Sequence, residues 1–244
     1  DQWQIAPVSA SLNILKKLQA ALRKGNWQVS VALHQPAHTD EYQILGIWPG
    51  LHEGGLYGLA IDLGSTTIAA HLCDLSDGHV LASSGLMNPQ IRFGEDLMSR
   101  VSYVMMNPGG DAELTQAVQQ AIATLAVEIA AEGGIDPALI VETVIVCNPV
   151  MHHLLLGIDP VELGQAPFAL ATSDSLTLDA AQIGLTTIAP TAQVYILPCI
   201  AGHVGADAAA VALSEEPNHA RELTLIVDVG TNAEILLGDI SGVL

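Results

Sequence analysis

Positively charged residues are scarce in this sequence. Only 7 of its 244 residues are Lys or Arg, against 26 Asp or Glu, and the formal net charge is -19. After Gly25 the remaining cations are Arg92, Arg100 and Arg221. Binding to a phosphate backbone or to an anionic lipid surface requires clustered cations that displace counterions. We therefore expect neither a nucleic acid nor a membrane as a partner.

Aromatic residues and cysteines are also few. Aromatic residues make up 4% of the chain and apolar residues 50%, so Ala, Leu, Ile and Val have to fill the core, as in a soluble α/β protein. Cys73, Cys147 and Cys199 form no CxxC pair, and we expect buried, reduced thiols. No apolar run approaches the roughly 18 residues that a membrane span needs, because Glu128 interrupts the longest Ala-rich helix. A cytoplasmic location is the expected default.

The hydrophobic periodicity predicts an alternation of helices and strands. Helices are predicted at 9–24, 95–106, 112–132, 150–156 and 204–213. Strands are predicted at 27–33, 42–48, 56–63, 68–74, 80–87, 141–147, 194–197, 223–229 and 233–237. Residues 160–192 give no clear pattern. We interpret residues 1–56 as a small N-terminal αβ module, or the end of one, that precedes a larger unit.

One pattern occurs twice, 166 positions apart: residues 61–68 read IDLGSTTI, and residues 227–234 read VDVGTNAE. Each copy has an Asp at the end of an apolar strand, then one apolar residue, a Gly and small polar residues. Gly allows close approach of the backbone to a ligand, successive N–H groups form an anion-binding nest, and hydroxyls add donors. A single copy is typical of an ordinary hairpin turn. Two matched copies favour a pair of turns that hold a nucleotide triphosphate from both sides.

These turns supply the candidate phosphate-binding and metal-binding residues. The expected phosphate-binding residues are Gly64, Ser65, Thr66, Thr67, Gly230, Thr231 and Asn232. Asp62 and Asp228 carry the same charge sign as a phosphate, so they are expected to bind, usually through water, the Mg²⁺ that bridges the phosphates. A nucleotide triphosphate and Mg²⁺ are therefore the expected cofactors, and the resemblance described next implies that the nucleotide is ATP.

The two turns resemble the phosphate 1 and phosphate 2 loops of the actin, sugar-kinase and heat-shock-chaperone ATPase superfamily. Longer stretches resemble the C-terminal ATPase domain of the reductive activators of corrinoid proteins, and the resemblance covers about residues 26–244. These stretches are GLYGLAIDLGSTTIAAHLCDL, MNPQIRFGEDLMSRVSY, NPVMHHLLLGIDP and VYILPCIAGHVGADAAA.

The resemblance implies an α/β fold with an actin-like (ribonuclease H-like) ATPase lobe. The first lobe, with a mixed sheet, is expected at 57–222, and the start of a second lobe with the phosphate 2 hairpin at 223–244. Five residues follow Asp239, so we expect the second lobe to be truncated. Since the sequence also begins at Asp1 without Met, the chain is expected to be a fragment.

The resemblance also implies an ATP-dependent activator, in which nucleotide-driven movement assists the reduction of cob(II)alamin to cob(I)alamin. The implied partner is a corrinoid protein or a corrinoid-dependent methyltransferase, and a homodimer is left open. Family members carry an N-terminal domain with a two-iron, two-sulfur cluster, and this sequence lacks its clustered cysteines. The intact protein is expected to be an ATPase, whereas activity of this chain by itself is left open.

Three further residues are candidates beside the two turns. Asp207, in the first turn of a predicted helix, could orient the attacking water or a Mg²⁺-bound water, or could only compensate the helix dipole. Glu234 follows the second turn and could face the metal or solvent. Asn148 ends a buried strand, and its amide could donate to a phosphate oxygen or form a local turn before Pro149.

Arg92 and Arg100 are isolated cations in an acidic region. We expect each to form an ion pair with a neighbour such as Glu95 or Asp96, with partner docking as the alternative.

Two other functions stay open on the sequence. One is a small-molecule kinase on the same fold, for which no substrate base or sugar-contacting insertion is recognised. The other is a non-catalytic module that docks a partner without binding nucleotide.

Overall fold

The computed structural model of this protein describes residues 5, 7–36, 39–230 and 233–243. Its N-terminal part is one helix packed on a small sheet. The elements are β1 (Val8–Ala10), α1 (Leu12–Lys24), β2 (Val29–His34) and β3 (Tyr42–Pro49). The strand order is β1-β3-β2, with β1 parallel and β2 antiparallel to β3. This arrangement agrees with the predicted αβ module, although its predicted boundary at residue 56 stays a prediction.

The first helix begins three residues later than predicted. Ser11 has an extended backbone, and its side chain accepts a hydrogen bond from the Ile14 backbone N–H, so it caps a helix that starts at Leu12. Val8–Ala10 instead forms a strand against β3. The prediction was wrong there because apolar spacing does not locate a helix cap.

The second and largest sheet has six strands in the order β6-β5-β4-β7-β9-β8. Its strands are β4 (Tyr57–Leu63), β5 (Thr67–Asp74), β6 (Val80–Met87), β7 (Ile140–Cys147), β8 (Leu176–Asp179) and β9 (Gln193–Ile196). The predicted meander is confirmed as β4–β5–β6, and β7 and β9 continue the sheet in parallel to β4. Strand β8, antiparallel at the edge, lies in the segment without a clear sequence pattern. The sheet is therefore mixed, as expected.

Four helices accompany this sheet among the described residues. They are α2 (Leu97–Met106), α3 (Gly110–Glu132), α4 (Pro149–Leu156) and α5 (Ala206–Glu215). Short 3₁₀ helices lie at Pro89–Phe93, Pro137–Leu139, Val161–Gly164, Ala180–Ile183 and Pro217–His219. Helix α3 covers β5 and β6, and its apolar stripe of Val118, Ile122, Leu125 and Ile129 is buried in the same core as β4 and β5. Aliphatic side chains thus fill the core, and the last residues of β4 and β7, Leu63 and Cys147, are buried in it.

A third sheet follows α5. It contains β10 (Thr224–Val229), β11 (Ala233–Asp239) and β12 (Gly242–Val243), paired antiparallel in that order. Leu225, Val227 and Val229 alternate with less exposed residues and are themselves exposed. This hairpin is the element expected at 223–244, although the boundary at residue 222 stays a prediction.

The cysteines and the longest helix bear on two further expectations. Cys147 and Cys199 are buried and free, whereas Cys73 is free but only half-buried, so burial was predicted wrongly for that residue. Cys73 pairs with Val80, which is itself exposed, at the start of the edge strand β6. Across the described ranges, none of the helices combines the length and the apolar character needed to cross a bilayer.

Candidate functional site

The two repeated turns line a single cleft of about 480 Å³. The cleft lies where the carboxyl ends of β4 and β7 meet the first turn of α5 and the β10–β11 hairpin. Its lining residues are Asp62, Gly64, Ser65, Thr66, Thr67, Asn148, Asp207, Asp228, Gly230 and Glu234. Thr231 and Asn232 lie outside the described residues. The structure therefore brings together every other residue that the sequence proposed, while their roles stay predictions.

The first turn connects β4 to β5 and requires glycine at its start. Leu63 pairs with Ile68, which leaves the four residues 64–67 between the paired positions. A Cβ added to Gly64 would lie 2.6 Å from the carbonyl oxygen of Thr67, closer than a carbon and an oxygen can approach. Gly64 thus allows the turn to fold back on itself beside the cleft.

The second turn is one residue shorter than the first, although the two sequences match without a gap. Val229 pairs with Ala233, which leaves the three residues 230–232 between them. Glu234 consequently lies opposite Asp228 across the hairpin and lines the cleft, whereas Ile68, its counterpart in the first copy, is fully buried. The two copies therefore match in sequence but differ in strand register. This difference brings Glu234 to the cleft, as a second carboxylate of the same hairpin beside Asp228.

Asn148 and Asp207 combine a structural contact with a place in the cleft. The Oδ1 atom of Asn148 accepts a hydrogen bond from the Met151 backbone N–H at 2.9 Å, so Asn148 caps α4. The Oδ1 atom of Asp207 accepts one from the Ala208 backbone N–H at 2.9 Å in the first turn of α5. For each residue, the local hydrogen bond at the start of a helix does not prevent the side chain from lining the cleft.

Four carboxylates share the cleft, and the environment of three of them, Asp62, Asp207 and Glu234, disfavours ionisation. Desolvation in the cleft raises the pKa of Asp62, and the charges of Asp207 and Asp228 raise it further. Desolvation also raises the pKa of Asp207 and of Glu234, with Asp228 adding to both shifts. A cluster of anions with raised pKa values suits a cation that would relieve the repulsion.

The carboxylates of the cleft can be compared with the way in which Mg²⁺ is usually held. Among the described residues, no three His, Cys, Asp or Glu side chains approach closely enough to hold a metal ion by themselves. Mg²⁺ keeps several water ligands and uses one or two carboxylates plus phosphate oxygens. The residues present therefore fit a water-mediated Mg²⁺ together with a phosphate ligand.

Behind the first turn lies a buried polar network that the sequence did not reveal. Asn88 Nδ2 donates to the carbonyl of Gly64 at 2.9 Å, and the Asn88 backbone N–H donates to the carbonyl of Thr66 at 2.8 Å. The guanidinium of Arg100 donates to the carbonyl of Ser65. Asn88 and Arg100 are both 0% exposed. The rarity of cations in the sequence was the one signal that could have pointed to a structural role for Arg100.

The expected ion pairs of Arg92 and Arg100 were wrong. Within the described residues neither Arg forms an ion pair with Glu95 or Asp96. Arg92 is exposed and lies over the ring of Phe93, 4.6 Å from its centroid. Arg100 points inward from α2 instead, because the carbonyls of the turn and of Gly94 need donors there.

Comparison with known proteins gives this geometry a family. Residues 57–219 match the model of the RACo middle region, and residues 1–54 match that of the RACo linker region. The chain belongs to the RACo family. The resemblance to reductive activators of corrinoid proteins is thereby confirmed.

Two relatives of this RACo family chain have informative names. The chain is 33% identical over 187 residues to the corrinoid activation enzyme RamQ of Eubacterium limosum, covering 77% of this chain and 31% of RamQ. A solved structure of a reductive activator for corrinoid, iron-sulfur protein superposes with a TM-score of 0.89 at 32% identity, covering 100% of this chain and 38% of that one. The actin-like fold class is therefore confirmed. The chain spans about a third of the length of each relative.

The raised pKa of Asp207 predicts how this RACo chain responds to pH. Because the pKa is higher in the folded state than in the unfolded state, folding stability falls as the pH rises between the two values, and the full cost is present above the folded-state pKa. Asn cannot ionise but keeps the acceptor for Ala208. We expect metal-free Asp207→Asn to melt about 1–3 °C higher than the wild type at pH 7.

Thermal unfolding followed by circular dichroism between pH 4 and pH 8 checks this result (roughly the range over which a shifted carboxyl titrates). The difference should shrink as the pH falls towards 3.8, the ordinary aspartate pKa. Asp111→Asn, in the first turn of α3 and outside the cleft, is the control and should not gain stability. A lower midpoint for Asp207→Asn at pH 7 would contradict the electrostatic account.

Proposed function

We propose that this chain forms the nucleotide-binding part of an ATP-dependent reductive activator of corrinoid proteins. The observation that carries the proposal is the cleft, where two turns of the same sequence pattern meet four carboxylates. The names of RamQ and of the solved corrinoid activator supply the partner class. The proposed partner is a corrinoid protein, alone or within a corrinoid-dependent methyltransferase.

In this proposal the phosphates bind to backbone amides and hydroxyls rather than to cations. Residues 64–67 and 230–232 would supply these donors from the two sides of the cleft. Asp62 and Asp228 would hold Mg²⁺ through water, since both line the same cleft. The metal would neutralise phosphate charge and so favour attack on the terminal phosphate.

Asp207 and Glu234 are proposed to act on the attacking water. Both line the cleft, and desolvation raises the pKa of both carboxyl groups. A carboxylate with a raised pKa is a better proton acceptor than an ordinary one near neutral pH. Asn148 borders the same space from the end of β7, where its side-chain amide could orient that water or a phosphate oxygen.

The coupling to corrinoid reduction would come from the two hairpins. The first turn belongs to the six-stranded sheet, and the second belongs to the separate β10–β11–β12 sheet. A nucleotide held by both turns interacts differently with closed and open arrangements of these sheets, so its binding and hydrolysis can shift their equilibrium. That shift would assist the uphill reduction of the cobalt of the partner.

Isothermal titration calorimetry of the intact protein with Mg-ATP tests the proposed site. We expect saturable binding to wild-type protein that requires Mg²⁺ and is lost in Asp62→Ala. Absence of binding would contradict the proposal and favour a module that only docks a partner. Phosphorylation of an added small molecule at the expense of ATP would favour the kinase instead.

A further inference from the structure

Three consecutive carbonyls of the first turn are held from behind by the buried network. Asn88 Nδ2 donates to the Gly64 carbonyl, Arg100 to the Ser65 carbonyl and the Asn88 backbone N–H to the Thr66 carbonyl. These donors lie 24, 35 and 22 residues, respectively, from their acceptors along the chain. The turn is thus oriented by distant groups as well as by its own sequence.

Arg100 is itself fixed on every side. Its Nε donates to the carbonyl of Gly94 at 3.1 Å, and one terminal nitrogen donates to Gln90 Oε1 at 3.2 Å and contacts Met151 Sδ at 3.0 Å. Gln90 is fully buried, and its Nε2 donates to the Leu114 carbonyl at 2.8 Å, which anchors the network to α3. Burial lowers the pKa of Arg100 to about 10, so its charge persists at neutral pH.

The carbonyl orientation determines where the amides of the turn point. In a planar trans peptide the N–H is directed opposite to the C=O of the preceding residue. Carbonyls of Gly64, Ser65 and Thr66 directed at Asn88 and Arg100 therefore direct the N–H groups of Ser65, Thr66 and Thr67 away from the network. Ser65, Thr66 and Thr67 line the cleft, whereas Asn88 and Arg100 are not among its lining residues.

We propose that Arg100 is a positioning residue that sets the backbone of the first turn for phosphate, without contacting the nucleotide. The inference deepens the proposed function and rests on it. A guanidinium suits this task because its planar fork places several donors on different carbonyls at once. It also explains why a chain with so few cations holds one in its interior, where an unpaired charge is costly.

Arg100→Met tests this role with a side chain of similar length and no charge. It leaves the Ser65 carbonyl without the Arg100 donor. In nucleotide-free intact protein, hydrogen exchange of the Asn88 amide, which donates to the Thr66 carbonyl, should accelerate about 10-fold, while the strands β6 and β7 exchange as in the wild type. Affinity for Mg-ATP should fall about 10-fold to 100-fold, the range expected for losing a hydrogen bond to a charged group.

Arg92→Met is the matched control. Arg92 is exposed and lies over the ring of Phe93, and among the described residues no hydrogen bond or ion pair joins it to the first turn, so exchange and affinity should stay unchanged. Arg100→Lys retains the charge without the fork and should recover part of the affinity. If Arg100→Met does not fold, Arg100→Lys compared with Arg92→Lys carries the test, with an affinity loss expected for the former alone.

The possible outcomes separate this role from the proposed function. Unchanged exchange of the Asn88 amide, or equal acceleration throughout the sheet, would show that Arg100 only fills the core, and would overturn its positioning role. Wild-type binding of Mg-ATP with unchanged affinity in Arg100→Met would overturn that role alone. Failure of the wild type to bind Mg-ATP would overturn the proposed function, and the role of Arg100 with it.

Discussion

Replacing Asp62 or Asp228 by Ala in the intact protein is expected to reduce ATP hydrolysis about 100-fold or more. Each carboxylate would hold the hydrated Mg²⁺ from one side of the cleft, and phosphoryl transfer without that charge loses most of its stabilisation. Steady-state release of phosphate measures the effect. Because these residues act through one ion, the double variant should be little worse than either single variant.

The chain offers a matched control at the other end of each hairpin. Asp74 ends β5 and Asp239 ends β11, and both carboxylates accept hydrogen bonds within exposed turns far from the cleft. Asp74→Ala and Asp239→Ala should retain wild-type hydrolysis. Normal hydrolysis in both Asp62→Ala and Asp228→Ala would refute the assignment of the metal site.

Gly205→Ala is the second change with a large expected effect. A Cβ at this position would lie 2.6 Å from each of three atoms: the Asn148 Cα, the Cys147 carbonyl oxygen and the Asp207 Oδ1. Two of these atoms are backbone at the end of β7, which is buried in the core and cannot yield. We therefore expect α5 to shift, at a cost of about 1–3 kcal/mol in the free energy of unfolding.

The same shift should displace Asp207 from the cleft. ATP hydrolysis by the intact protein is expected to fall about 100-fold, because a displacement of ~1 Å at a reacting site is enough for such a loss. Urea unfolding and phosphate release measure the two effects. Gly85→Ala, whose added Cβ would lie 3.2 Å from the Ile68 carbonyl oxygen, is the milder control. If Gly205→Ala and Gly85→Ala had the same free energy of unfolding and the same rate of phosphate release, close packing of α5 on β7 would be dispensable.

Local sequence patterns predicted the scaffold of the site well. The meander β4–β5–β6, the buried strand β7 and the apolar stripe of α3 follow from periodicity that adjacent residues create. The Asp-x-Gly turns were recognisable because glycine and small polar residues are required where the backbone folds tightly. The start of α1 and strand β8 were missed, since a single capping residue and a four-residue edge strand carry little periodic signal.

Local sequence patterns could not predict the network of Asn88 and Arg100 behind the first turn, or the strand register of the second turn. Whether Arg100 forms an ion pair or binds carbonyls depends on the packing of α2 against a turn 35 residues away. The position of Glu234 opposite Asp228 depends on a turn one residue shorter than its sequence match. Both features arise from tertiary pairing, which a repeat in the sequence suggests but does not determine.

Absorbance spectroscopy of the corrinoid cobalt tests most directly whether Mg-ATP bound in the cleft drives the reduction of the partner. The intact protein, a low-potential reductant and a corrinoid partner in the cob(II)alamin state are combined with Mg-ATP, with Mg-ADP or without nucleotide. We expect the cob(I)alamin spectrum with Mg-ATP but not with Mg-ADP or without nucleotide, and we expect Asp62→Ala to suppress it whereas Asp74→Ala does not. Equal formation of cob(I)alamin without nucleotide, or in Asp62→Ala, would show that the cleft does not couple ATP to corrinoid reduction.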